Sequence, residues 1–191
     1  MQQIQSVPLC PPDYARSDFQ DQIVAPSQCP QCLDNHGLHR HGRYLRSVSW
    51  CLRIVSIWVA RFLCRRCRRT VSRLPDWALS YRLVNAQTTQ RFLDGERTDP
   101  EIAHWRAILH SYEKDLDAFA PQLIRTVHTG LGMPPPLPTE PPWPWIKKAC
   151  VTLQSATRQL ISQFRITLFG RYRCHQPCGF DRPRSAGMTG G

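Results

Sequence analysis

A chain of 191 residues has room for one ordinary domain or two small ones, and 25 Lys and Arg against 14 Asp and Glu give it a formal net charge of +11. Only Lys114, Lys147 and Lys148 are lysines; the rest of the positive charge is arginine, which makes planar, bidentate contacts to phosphate and base edges. The balance disfavours a cationic partner and favours a polyanion, nucleic acid first and an acidic membrane surface second. No run of about 18 apolar residues occurs, because Arg61 interrupts "IVSIWVARFLC", so no membrane span is expected. The opening "MQQIQSVPLC" lacks the basic-then-apolar order of a secretory signal, so the chain is expected to be cytoplasmic with reduced thiols. Nine cysteines, an odd number, then read as metal ligands where they fall in close pairs.

In chain order, residues 1–28 are polar, carry Pro8, Pro11, Pro12 and Pro26, and read as a loosely held arm. Residues 29–75 contain two Cys-x-x-Cys pairs around two strand candidates, about 41–50 and 53–62; the β-branched alternation of "RIVSIWVARF" supports the second. Residues 76–131 have helical texture. One helix starts near Asn85 and stops before Gly95, and a second starts with Thr98 or Asp99 as N-cap and Pro100 in its first turn. A third covers about 115–129, with Pro121 marking a kink or a later start. Residues 132–145, half of them proline, read as a stiff polyproline-like linker. Ile146, Cys150, Leu153, Leu160 and Phe164 trace an apolar stripe that predicts one amphipathic helix over 146–170, and 171–191 read as a basic, mobile tail. The expected fold class is small α+β: a four-cysteine zinc ribbon of two or three antiparallel strands, a helical segment, and a separate C-terminal helix.

Cys29 and Cys32 stand 31 residues from Cys64 and Cys67. Two such knuckles supply four thiolates for a tetrahedral Zn2+, and a closed set of four leaves no position for a reactive water, so the ion is expected to be structural. His36, His39 and His41 are alternative ligands placed in the turn that leads into the first strand. Cys10, Cys51 and Cys150 read as ordinary small residues, and Cys174 with Cys178 as half of a second site.

The charge is local. Between Asn35 and Pro75 there are ten arginines and no Asp, Glu or Lys. Arg65, Arg66, Arg68 and Arg69 surround the second knuckle, and Arg40, Arg43, Arg46, Arg61 and Arg73 are expected to extend the same basic face onto nucleic-acid phosphates. The helical segment is open to two readings, a helix-turn-helix or a plain bundle for dimerisation or protein contact. From Asp76 to Ala120 it holds eight acids and five bases, and Trp105 reads as a core anchor.

Cys29-Pro30-x-Cys32, the His41-Gly42-x-Tyr44 turn, Phe62-Leu63-Cys64, Cys67 followed by Arg69-Thr70-x-Ser72, and the closing Leu74-Pro75 resemble the zinc ribbons of bacterial insertion-sequence transposases and their accessory proteins. They resemble in particular a bacterial zinc-ribbon family of unknown function encoded near mobile elements. The resemblance covers roughly 29–130. It implies zinc and DNA binding in transposition or regulation, and it implies no reaction. A complete transposase needs three carboxylates for two Mg2+ ions, and past Glu140 the only acid is Asp181. The expected function is therefore non-catalytic binding of duplex DNA. The alternatives are a protein–protein adaptor or homo-oligomer using the ribbon and the helices, the DNA-binding part of a truncated transposase, and RNA binding with Tyr44, Trp50, Trp58 and Phe62 as stacking rings.

Overall fold

The computed structural model describes residues 1–35 and 37–171, without the side chain of Arg171. Strand β1 (Gln2–Gln5), helix α1 (Pro11–Arg16) and a 3-10 turn (Asp18–Gln22) precede the strands β2 (Leu38–Trp50), β3 (Arg53–Cys64) and β4 (Thr70–Pro75). Helices α2 (Ala86–Leu93), α3 (Pro100–Leu131), α4 (Pro142–Cys150) and α5 (Leu153–Gln159) follow. A π turn (Leu160–Phe164) then leads into a small hairpin of β5 (Ile166–Thr167) and β6 (Gly170–Arg171). The result is a small α+β structure with a mixed four-stranded sheet in the order β1-β4-β3-β2.

The long β2–β3 hairpin forms one side of that sheet, with β2 at its edge, and alternation decides its faces. Val48, Ile57, Val59, Ala60 and Phe62 are buried, and Cys51 makes the turn in a left-handed conformation, φ +51°. Gly42, expected in a turn, lies inside β2. There the register skips His41 between Arg40↔Phe62 and Gly42↔Arg61, and only glycine takes the φ of +139° at such a bulge without strain. His39 and His41 accordingly sit on the strand and not in a leading turn.

The first 28 residues are not a loose arm. β1 pairs in parallel with β4, Gln2↔Ser72 through Gln5↔Pro75, while Val7, Tyr14 and Ile23 join the core on the sheet. Tyr14 Oη donates to the Trp58 carbonyl at 3.0 Å, and Trp77 Nε1 donates to the Leu9 carbonyl at 3.0 Å. Proline supplies the first turn of α1 because its missing N–H is an unpaired helix-start group in any case.

The helices form a second core. Asn85 caps α2, its side chain accepting from Thr88 N at 2.9 Å, and its Nδ2 reaches the Ser49 carbonyl at 3.2 Å, which ties this core to the sheet. Trp105, a core residue as expected, adds a second tie through Nε1 to the Cys51 carbonyl at 2.9 Å. Asp99 is the N-cap of α3, and the helix runs without a break past Pro121 to Leu131. The buried stripe Ile102, Trp105, Leu109, Tyr112, Leu116, Ala120, Leu123 and Val127 keeps one phase throughout. Pro121 lies on the exposed side of that stripe, so its lost hydrogen bond faces water and two expected helices are one.

The proline-rich stretch is not a spacer either. It folds back and starts α4, burying Trp143 and Trp145, whose indole N–H groups donate to Asp94 Oδ1 at 2.7 Å and to the Pro134 carbonyl at 2.9 Å. Burying each indole stabilises this return by on the order of 3 kcal/mol. The single helix expected over 146–170 is broken at Val151, φ +58°. Thr152 and Ser155 form a capping box that starts α5 afresh. The expected tail, with Cys174 and Cys178, lies outside the described residues apart from the backbone of Arg171.

Candidate metal centre

Two backbone turns of the same design carry the four cysteines. In the first, Cys29 N donates to the Asp34 carbonyl at 2.8 Å and Leu33 N donates to the Cys29 carbonyl at 2.9 Å. In the second, Cys64 N donates to the Arg69 carbonyl and Arg68 N donates to the Cys64 carbonyl, both at 2.9 Å. Each turn closes through a left-handed residue four positions after its first cysteine, Leu33 at φ +59° and Arg68 at φ +57°. The turns are held together by Arg65 N donating to the Gly37 carbonyl at 2.7 Å. Gly37 lies close to the cluster: a Cβ there would stand 3.2 Å from Cys64 Sγ and would displace the Asp34 carboxylate, whose Oδ2 would be 2.2 Å away.

The four sulfurs lie within 4.8 Å of one another, a set that can hold one metal ion. Cys29 Sγ is 3.7 Å from Cys67 Sγ, and Cys32 Sγ is 3.6 Å from Cys64 Sγ. Thiolates held about 2.3 Å from a tetrahedral ion stand about 3.8 Å apart, whereas a disulfide needs about 2.0 Å. Cys29 and Cys64 are buried and Cys32 and Cys67 half-buried. Burial disfavours a Cys64 thiolate, yet the backbone N–H groups of Cys67 and Arg66 and the Cys32 thiol bring it down to about 7. Cys67 is pushed up to about 12, by burial first and then by the thiols of Cys29, Cys64 and Cys32 around it. An ion binding all four must therefore displace protons, so acid opposes binding. Among the described residues the cluster contains no histidine: His39 and His41 stay outside it, and His36 lies outside the described residues.

The nine expected phosphate contacts divide into two kinds. Arg40 is used internally, donating to the carbonyls of Gln20 at 3.0 Å and Asp21 at 3.2 Å and pairing with the Asp21 carboxylate at 3.2 Å. Arg43 lies over the Trp58 ring at 4.7 Å and 3.9 Å from Asp21. Arg46 donates to the carbonyls of Leu79 and Arg82. Arg61 donates to Thr70 Oγ1 at 3.0 Å, and Arg73 to Gln5 Oε1 at 3.1 Å and Gln3 Oε1 at 3.2 Å. Arg65, Arg66, Arg68 and Arg69 are exposed, and none has a side-chain hydrogen bond or ion pair among the described residues. They project from the turn that the cysteine cluster clamps.

Placing Arg68 in the left-handed region costs about 1–2 kcal/mol that glycine would avoid. Arg68→Gly is expected to raise the thermal midpoint of the metal-loaded protein by an amount equivalent to about 0.5–1 kcal/mol, read by calorimetry, while removing one cation from the exposed face. A lower midpoint would show that the side chain itself holds the turn.

Gly37 and the left-handed pair escape a reading of the sequence. Glycine at Leu33 or Arg68 would have signalled the turn, and neither is glycine. Among the described residues no helix is long and apolar enough to cross a membrane. No protein-family model matches the chain, and comparison with curated proteins and with solved structures finds no match.

Proposed function

We propose that this chain is a zinc-ribbon protein that binds duplex DNA without cutting it, in a transposon-associated or regulatory role. Zinc is the ion of choice because four thiolates at these distances make a closed tetrahedral site suited to an ion without redox chemistry. The observation that carries the reading is the contrast among the arginines. Five are engaged inside the chain, while Arg65, Arg66, Arg68 and Arg69 are exposed and uncompensated on a turn with two of the metal ligands. Zinc with four thiolates has about two net negative charges, which offsets part of this charge and leaves a cationic surface. Phosphates supply the complementary charge.

The helical adaptor reading is weaker, because the stripe it needs is used within the chain: Ile146, Cys150, Leu153 and Leu160 are buried. RNA stacking loses Phe62, which is buried, and Trp58, which lies under Arg43. The test is fluorescence anisotropy of zinc-loaded protein on duplex DNA across salt concentrations. With four phosphates neutralised, log K is expected to fall against log salt with a slope of about −3.6. A slope shallower than about −2 rejects the phosphate clamp. Tighter binding to single-stranded RNA than to the duplex moves the assignment to RNA.

A further inference from the structure

A second basic feature lies on the sheet, and it is concave. On one face the positions Val48, Ile57 and Val59 are apolar and fully buried. The same face then turns polar. Tyr44 and Arg46 of β2, Arg61 of β3, and Thr70 and Ser72 of β4 occupy its other positions, as the register Tyr44↔Val59, Arg46↔Ile57 and Arg61↔Ser72 requires. These side chains line a cleft of about 570 Å3 whose far wall is the segment Tyr81–Leu83.

The charge in the cleft is one-sided. None of its lining residues is acidic. Arg82 is balanced by Asp115 at 2.7 Å, but Arg46 and Arg61 have only carbonyl, hydroxyl and ring partners and no carboxylate within ion-pair distance among the described residues. Burial lowers the pKa of Arg46 from its ordinary value, so its cation is held at a cost that an anion would reduce. The lip of the cleft is strained, since Tyr81 is 52% exposed and adopts φ +59°. A bulky residue in that region persists where its surroundings impose it, often beside a ligand.

We propose that this cleft binds a small phosphate ester of nucleoside monophosphate size, with the phosphate on Arg46 and Arg61 and the planar base against the exposed ring of Tyr81. Two guanidinium groups that lack a carboxylate partner match a dianion, and the hydroxyls of Thr70 and Ser72 supply neutral donors to its oxygens. The volume exceeds what a bare phosphate needs and falls within the range of small-ligand sites. This site is separate from the proposed DNA-binding turn and does not depend on it.

Calorimetric titration of zinc-loaded protein with adenosine monophosphate, inorganic phosphate and adenosine tests it. Saturable binding is expected for the monophosphate, weaker binding for phosphate, and none for adenosine. Arg61→Gln should weaken monophosphate binding about tenfold or more, and Arg61→Lys should restore most of it. Thermal midpoints of both variants establish that they are folded. The variant with glutamine at 65, 66, 68 and 69 should bind the monophosphate as the wild type does. The proposal is overturned by absence of monophosphate binding at millimolar concentration, by a folded Arg61→Gln variant that binds normally, or by equal loss in the knuckle variant. The last result would place the phosphate on the DNA-binding turn.

Discussion

Glutamine at positions 65, 66, 68 and 69 together is expected to remove most duplex-DNA affinity, on the order of a hundredfold or more at moderate salt, and to flatten the salt slope toward zero. Metal content and thermal midpoint should stay near wild type, because none of these side chains makes a hydrogen bond or ion pair among the described residues. Glutamine at Arg40, Arg46 or Arg73 should do the reverse. Arg46 is the clearest case: its guanidinium satisfies the carbonyls of Leu79 and Arg82, and losing it should cost about 1–3 kcal/mol of stability with little change in slope. Anisotropy against salt and thermal unfolding on the same preparations separate the two groups. Equal loss of DNA affinity from both sets of substitutions would mean that the basic face is continuous, as the charge count alone implies.

Cys64→Ser is expected to release the ion and to lower stability by on the order of 3 kcal/mol or more, since a serine hydroxyl does not ionise to replace a thiolate. The loss should be local. Cys64 ends β3, and the hydrogen bonds Arg65 N to Gly37 O and Cys64 N to Arg69 O link the two knuckles and close the second turn. The sheet below them has its own core at Val48, Ile57, Val59 and Phe62. Hydrogen exchange should therefore accelerate in the turns around 29–37 and 64–69, while the middle of β2 and β3 stays protected. Chelator treatment of the wild type should give the same pattern, read together with metal analysis. A serine variant that keeps one ion per chain would exclude the four-thiolate centre.

Where interactions are local, the sequence was a good guide. The two Cys-x-x-Cys pairs, the alternation of β3, the helix starts near Asn85 and at Thr98 or Asp99, and the Trp105 anchor each depend on residues a few positions apart. What escaped depends on distant partners. β1 is four residues with no strand pattern of its own, and it exists because β4 offers an edge near residue 72. Pro121 and the prolines around Trp143 are breakers by local rule, overruled by a continuous apolar stripe and by two buried indoles. The arginines show the same limit. Composition displays ten positive charges in one window, but nothing in the order of residues reveals that Arg46 ends on two carbonyls from a loop more than 30 positions away.

The parallel pairing of β1 with β4 has a consequence for how the chain acquires its structure. A hairpin such as β2–β3 closes across a two-residue turn and needs only its own stretch of chain. Gln2 must instead find Ser72, and Val7 N and Ser6 Oγ must find the Asp76 carboxylate. The β1 segment is thus among the last of the described residues to reach its place. Until β4 has formed β1 has no partner, and until β1 arrives the outer edge of β4 stays open. Closing a loop of that length slows folding more than it weakens the finished sheet. Asp76 sits where that late closure is locked. It takes Ser6 and Val7 from the segment after β1 and Arg158, at 3.1 Å, from the end of α5, so a single carboxylate fastens both the β1 segment and α5 to the end of β4.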